Sequence, residues 1–227
     1  MRTNVLLLSI FILAVSTGGC SQNTSGTAAN GKAPAAVTVA ATTVQPQSNM
    51  SSVVFAPFYV YQDKNSKNRF IPSGYMPTGD CVNVDDAWQY DVKEGRSCIR
   101  IIYDVVCSKE GHKWAGVYWQ NPADNWGARK GGYNLTGATK LVFWAKGEMG
   151  GERIEEFRVG GMGAGQMYPD SDSTGIGPVI LTKEWKEYTI DLRGKDLSYI
   201  SGGFSWFTNV DVNPHHCTFY LDGIRYE

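Results

Sequence analysis

The sequence predicts an all-β fold: one β-sandwich of jelly-roll type over 53–227, behind an export signal and an unstructured tether. Three observations predict it. Short runs rich in Val, Ile, Thr, Tyr, Phe and Trp recur, separated by clusters of Gly, Pro, Asn and Asp. No segment keeps a helical period over about ten residues. The chain carries 26 Gly and 12% aromatic residues, which is loop-and-strand chemistry, and 42% hydrophobic residues, enough to bury a sizeable core. The formal net charge of −1 offers no driving force toward nucleic acid.

The elements follow in order. Residues 1–19 read as a signal peptide. Arg2 supplies the positive region, and 5–15 is an apolar run of signal length, too short to span a bilayer. Ser16-Thr17-Gly18-Gly19 before Cys20 resembles a bacterial lipobox, although Thr17 departs from the usual Leu. That resemblance implies cleavage before Cys20 and lipid on its thiol. Each buried CH₂ of acyl chain then contributes about 0.8 kcal/mol to membrane anchoring. Ser21, by resemblance to Gram-negative sorting signals, implies an outer-membrane or cell-surface location. Residues 20–52 are Ser, Thr, Ala, Gln, Asn and Gly with almost no large apolar residue, so they read as a disordered tether. Strands are then expected at 54–61, 98–106, 114–120, 139–146, 154–160, 185–192, 203–208 and 217–226, with a weaker one at 81–84 and a helical turn near 194–199. About nine strands in roughly 175 residues fit one sandwich.

Alternation along each strand sorts its faces. Leu141 and Phe143 read as core, which puts Trp144 on the face of Lys140, Val142 and Lys146. Val117 and Trp119 read as core, leaving Trp114, Tyr118 and Gln120 opposite. Phe157 and Val159 read as core, leaving Glu156 and Arg158 opposite. Aromatic, amide and charged side chains thus gather on non-core faces. Flat rings there stack on the apolar face of a sugar while polar neighbours bond its hydroxyls. Tyr118, Gln120, Trp144, Glu156 and Arg158, with Trp126 from a loop, are therefore the expected ligand surface. The structural alternative is that loops cover these rings.

A family resemblance is carried by Trp114-Ala115-Gly116-Val117-Tyr118-Trp119-Gln120-Asn121-Pro122, Asn125-Trp126-Gly127 and Gly132-Tyr133-Asn134-Leu135-Thr136-Gly137-Ala138-Thr139. Phe143-Trp144-Ala145-Lys146-Gly147, Trp185-Lys186-Glu187-Tyr188-Thr189-Ile190-Asp191-Leu192 and Phe219-Tyr220-Leu221-Asp222-Gly223-Ile224-Arg225-Tyr226 continue it. Over roughly 70–227 the chain resembles bacterial secreted and lipoprotein domains of the galactose-binding-like jelly roll, the architecture of many carbohydrate-binding modules. The resemblance implies carbohydrate binding without catalysis. It also implies a structural Ca²⁺, with Asp222 and Asp63 as its metal ligands.

Other chemistry is weakly supported. A glycoside hydrolase needs two carboxyl groups roughly 5–9 Å apart. Glu155 and Glu156 are adjacent and so face opposite sides of a strand. Gly160-Gly161-Met162-Gly163-Ala164-Gly165 follows a strand but precedes turn chemistry rather than a helix, so it reads as a loop. His215-His216-Cys217 is a poor zinc set, because adjacent histidines rarely share one metal.

Besides Cys20 there are Cys81, Cys98, Cys107 and Cys217, an even number in an exported protein. They predict two disulfides and no free thiol. If 98–107 is one strand, its ends lie about 30 Å apart, which excludes that pair. Of the pairings left, 81–98 with 107–217 is preferred because it closes a short loop. The sequence thus points to a lipid-anchored module that binds polysaccharide. A structural or adhesion scaffold for protein partners is the alternative, and a hydrolase comes third.

Overall fold

A computed structural model describes residues 55–227. The signal peptide, Cys20 and the tether lie outside the described residues.

The elements are β1 (Phe58–Tyr61), β2 (Ile71–Met76), β3 (Val82–Trp88), β4 (Cys98–Tyr103), α1 (Val105–Glu110) and β5 (Trp114–Gln120). There follow β6 (Lys140–Gly147), β7 (Arg153–Ile154), β8 (Glu156–Gly160), β9 (Ser173–Ile176), β10 (Val179–Ile180), β11 (Lys186–Asp191), β12 (Gly202–Asn209) and β13 (Cys217–Tyr226). Two antiparallel sheets form a sandwich. The first has the order β11-β6-β13-β4-β3, with β1 also pairing with β13. The second has the order β2-β5-β12-β8-β9. β7 and β10 form a separate two-stranded ribbon.

Alternation places the core between the sheets. Leu141, Phe143 and Ala145 of β6 meet Phe157 and Val159 of β8 and Phe204 of β12, all buried. Ring centroids across the gap lie 4.7 Å apart for Phe143–Phe157 and 5.0 Å for Trp206–Phe219. Such pairs contribute about 0.5–1.5 kcal/mol each beyond their burial. At Asp222–Arg225 the ladder of β13 with β6 slips register, with Gly223 at φ +56°. A Cβ on Gly223 would sit 2.6 Å from a Glu94 carboxylate oxygen, so only glycine fits.

The expected strands appear with two breaks: the strand expected at 154–160 is interrupted at Glu155, so Ile154 belongs to β7 and 156–160 to β8. The strand expected at 98–106 stops at Tyr103, and a helical turn follows. Asp104 caps α1, its side chain accepting from the backbone N–H of Val106 and of Cys107. Cys107 therefore leaves the strand and reaches Cys81, with Cα atoms 5.6 Å apart. This overturns the preferred pairing. The disulfide is Cys81–Cys107, and Cys98 and Cys217 are free and buried. Cys217 pairs with Tyr103 at one end of the β4–β13 ladder, while Cys98 lies one residue beyond the Ile99–Leu221 pair at the other. Five steps separate them by about 17 Å, beyond reach of a disulfide. Burial pushes both thiols up to about 12. The turn expected at 194–199 is confined to Arg193 and Gly194.

Candidate binding groove

The outer face of the second sheet holds a groove of about 400 Å³. Its register is a grid. Tyr118 of β5 pairs with Ser205 of β12, which pairs with Arg158 of β8. One step along, Gly116 lies between Met76 of β2 and Phe207 of β12, and Phe207 pairs with Glu156. A further step pairs Trp114 with Asn209. Gly116 is the floor. A Cβ there would lie 2.6 Å from the Trp206 carbonyl oxygen and 2.9 Å from Met76 and Phe207. The hydrogen at that position opens the space between the larger side chains.

Its walls are apolar, with Ser205 buried at the centre of the grid and Arg158 and Asn209 beside it. Met76, Trp114, Tyr118 and Phe207 supply rings and a thioether, and Arg158, Ser205 and Asn209 supply donors and acceptors. Trp114 is 42% exposed. Tyr118 is nearly enclosed and donates to the Gly160 carbonyl at 3.1 Å. Burial raises its phenol pKa above the ordinary value, against the lowering effect of Ser205 and Arg158, so the hydroxyl stays neutral at neutral pH. Arg158 is held in plane by Glu156, its Nε and Nη2 lying 3.0 and 2.7 Å from one carboxylate oxygen. Trp126 extends the aromatic track. Its ring is 41% exposed and stands edge-on to Tyr118 at 6.0 Å. Asn125 fixes this loop, accepting from the Arg129 N–H at 3.0 Å and donating to the Arg129 carbonyl at 2.8 Å.

The structure thus brings together Tyr118, Trp126, Glu156 and Arg158 and separates two expected members. Gln120 is fully buried. It accepts from the Ser73 hydroxyl at 2.8 Å and donates to the Met162 sulfur at 3.2 Å, so it braces the fold beneath a loop and presents nothing to a ligand. Trp144 belongs to β6, in the first sheet, and its outward face points away from the groove. It is covered. Its indole N–H donates to Glu94 at 2.7 Å and the Lys93 ammonium lies 4.1 Å from the ring centre.

Asp222 and Asp63 hold the segment that covers Trp144. Asp222 is completely buried and accepts from the backbone N–H of Lys93 and Glu94 at 2.9 Å and of Gly223 at 2.8 Å. Burial pushes its carboxyl up to about 6, and those N–H bonds pull the other way. Asp63 accepts from Arg96 N at 2.7 Å and Ser97 N at 2.9 Å. Oxygens facing N–H donors do not suit a hard cation, which needs six to eight oxygens turned toward it. Among the described residues no group of three or more His, Cys, Asp and Glu side chains is placed to hold a metal. The two aspartates do not fit the expected Ca²⁺ site.

Sequence reasoning put Trp114 on the right face without assigning it to the ligand surface, and missed Met76, Ser205, Phe207 and Asn209. β2 contains Pro72 and Gly74, which weaken any strand signal. In β12, aromatic residues occupy both faces of Phe204-Ser205-Trp206-Phe207, so alternation gives no phase.

No family model matches the chain, and no curated protein matches it. Among solved structures, it is similar to the family 30 carbohydrate-binding module of a cellulosomal cellulase of Clostridium thermocellum. The identity is 18%, with 76% of this chain and 97% of that chain covered, at a TM-score of 0.47. A second family 30 carbohydrate-binding module is similar at 16% identity, covering 75% and 87%, TM-score 0.47. A family 29 carbohydrate-binding module variant is similar at 8% identity, covering 75% and 90%, TM-score 0.39.

Proposed function

We propose that the domain binds polysaccharide, without catalysis, in the groove on the second sheet. One observation carries the reading: a concave surface floored by Gly116 and walled by Met76, Trp114, Tyr118 and Phe207 has the polar side chains of Arg158 and Asn209 beside those walls. Such a surface desolvates the apolar face of a sugar while Arg158 and Asn209 meet its hydroxyls. Glu156 and Arg158 pair with each other, so the nearest carboxylate orients the arginine. Lipid on Cys20, and with it an exported location at the outer membrane or cell surface, belongs to the same proposal. It rests on the amino-terminal sequence. Titrating the full chain with a panel of soluble neutral polysaccharides tests the binding reading. Saturable binding is expected, and Trp114→Ala is expected to weaken it. If no glycan binds a folded protein, the adhesion-scaffold reading takes its place.

A further inference from the structure

We propose a second saccharide site, for a sugar unit bearing a carboxylate, in a cavity of about 530 Å³ on the first sheet. It does not rest on the groove. The cavity lies between the 63–66 turn, the end of edge strand β3 and the segment at 96–97.

Its frame is rigid. Asp63 accepts from the backbone of Arg96 and Ser97, and the Ser97 hydroxyl accepts from Lys64 N at 2.9 Å. Asn68 accepts from Gln62 N at 3.0 Å and donates to the Asp63 carbonyl at 2.9 Å. Tyr61 ties the same region to β3 by donating to the Asp86 carbonyl at 2.8 Å. The cavity's own side chains are in the opposite condition. Asn65, Ser66, Gln89 and Arg96 line it, and none of their side chains makes a hydrogen bond or ion pair among the described residues. The backbone frame is fixed, and the exposed side chains of Asn65, Gln89 and Arg96 are free to turn to a ligand held in it.

The groups define the chemistry. Lys64 is paired with Asp86 at 2.5 Å, and the Asp63 carboxylate is turned to the backbone N–H groups of Arg96 and Ser97, which leaves the Arg96 guanidinium as the lining cation with no carboxylate partner. A guanidinium fork matches a carboxylate bidentately. Asn65 and Gln89 each offer a donor and an acceptor, and Ser66 offers a hydroxyl, which matches sugar hydroxyls. A bare inorganic anion only accepts and would leave the amide oxygens unused.

The test is calorimetric titration of the full chain with trigalacturonate, trimannuronate and a glucuronate-bearing disaccharide, with galactotriose as the neutral control. At least one uronate is expected to bind. Arg96→Gln is expected to weaken that binding about tenfold or more, the scale of one charge-assisted hydrogen bond. It should leave the thermal midpoint and neutral polysaccharide binding unchanged. Trp114→Ala is expected to leave uronate binding unchanged, so the two sites fail separately. The proposal is overturned if no uronate binds, if Arg96→Gln binds as well as the native chain, or if Trp114→Ala abolishes uronate binding.

Discussion

Trp144 separates the two sheets by experiment. It carries an indole N–H bond to Glu94 and a ring under the Lys93 ammonium, on the sheet opposite the groove. Trp144→Phe keeps an aromatic ring under Lys93 and removes the hydrogen bond. A bond to a charged acceptor contributes about 1.5–3 kcal/mol. Glu94 is partly exposed and also faces Arg225 at 3.5 Å, so water and arginine restore part of the loss. The expected destabilisation is about 1 kcal/mol, below the range for such a bond because of that restoration. Trp144→Ala also loses the cation–π contact, about 0.5–1 kcal/mol, and the ring's packing beneath the 91–97 segment. The total is about 2–4 kcal/mol, somewhat less than the roughly 3–5 kcal/mol for truncating a fully buried aromatic side chain, because Trp144 is half-buried. Urea unfolding gives these values from midpoints at constant slope. Polysaccharide titration of the same variants should give native affinity. A Trp144→Ala variant of native stability that has lost glycan binding would refute the assignment of the site to the second sheet.

Other outcomes follow from the same geometry. Phe207→Ala and Trp114→Ala should each weaken polysaccharide binding by about 1–3 kcal/mol, the scale of a lost aromatic anchor; calorimetry reads this, and unchanged affinity in both would count against the groove. Thiol titration after denaturation without reductant should find two reactive cysteines besides position 20, Cys98 and Cys217, and four would contradict the Cys81–Cys107 bridge. Asp222 has its folded pKa raised by burial to about 6, above the ordinary carboxyl value of 3.8, so the native state holds that proton more tightly than the unfolded chain. Its contribution is therefore most favourable below about pH 4 and declines as pH rises through about 6, by roughly 3 kcal/mol. The stability advantage of the native protein over Asp222→Asn should shrink across that window, and denaturant melts showing it grow would overturn the sign.

How much was legible in the sequence depends on what each signal encodes. Alternation is local, so it phased β5, β6 and β8 correctly and put Tyr118, Glu156, Arg158 and Trp144 on outward faces. It does not say which sheet a strand joins. β6 pairs with β11 and β13, and β5 with β2 and β12, and those long-range ladders separate Trp144 from Tyr118. Nor does outward mean exposed: Gln120 lies under Met162 and Trp144 under the segment held by Asp222 and Asp63. The disulfide turned on one capping residue. Asp104 ends β4 and starts α1, redirecting Cys107 toward Cys81, whereas strand propensity carried 98–106 straight on. Both acidic metal candidates came from the family resemblance, and the fold turns their carboxylates to backbone N–H groups.

The central claim is that a glycan lies along the second sheet. Hydrogen exchange and side-chain footprinting of the full chain, with and without a saturating polysaccharide, test it most directly. Protection is expected across β5 and β12, at Trp114, Tyr118 and Phe207, with 140–146 and the 91–97 segment unchanged. Protection confined to the first sheet, or bound polysaccharide that leaves Trp114 and Phe207 as reactive as before, would contradict it.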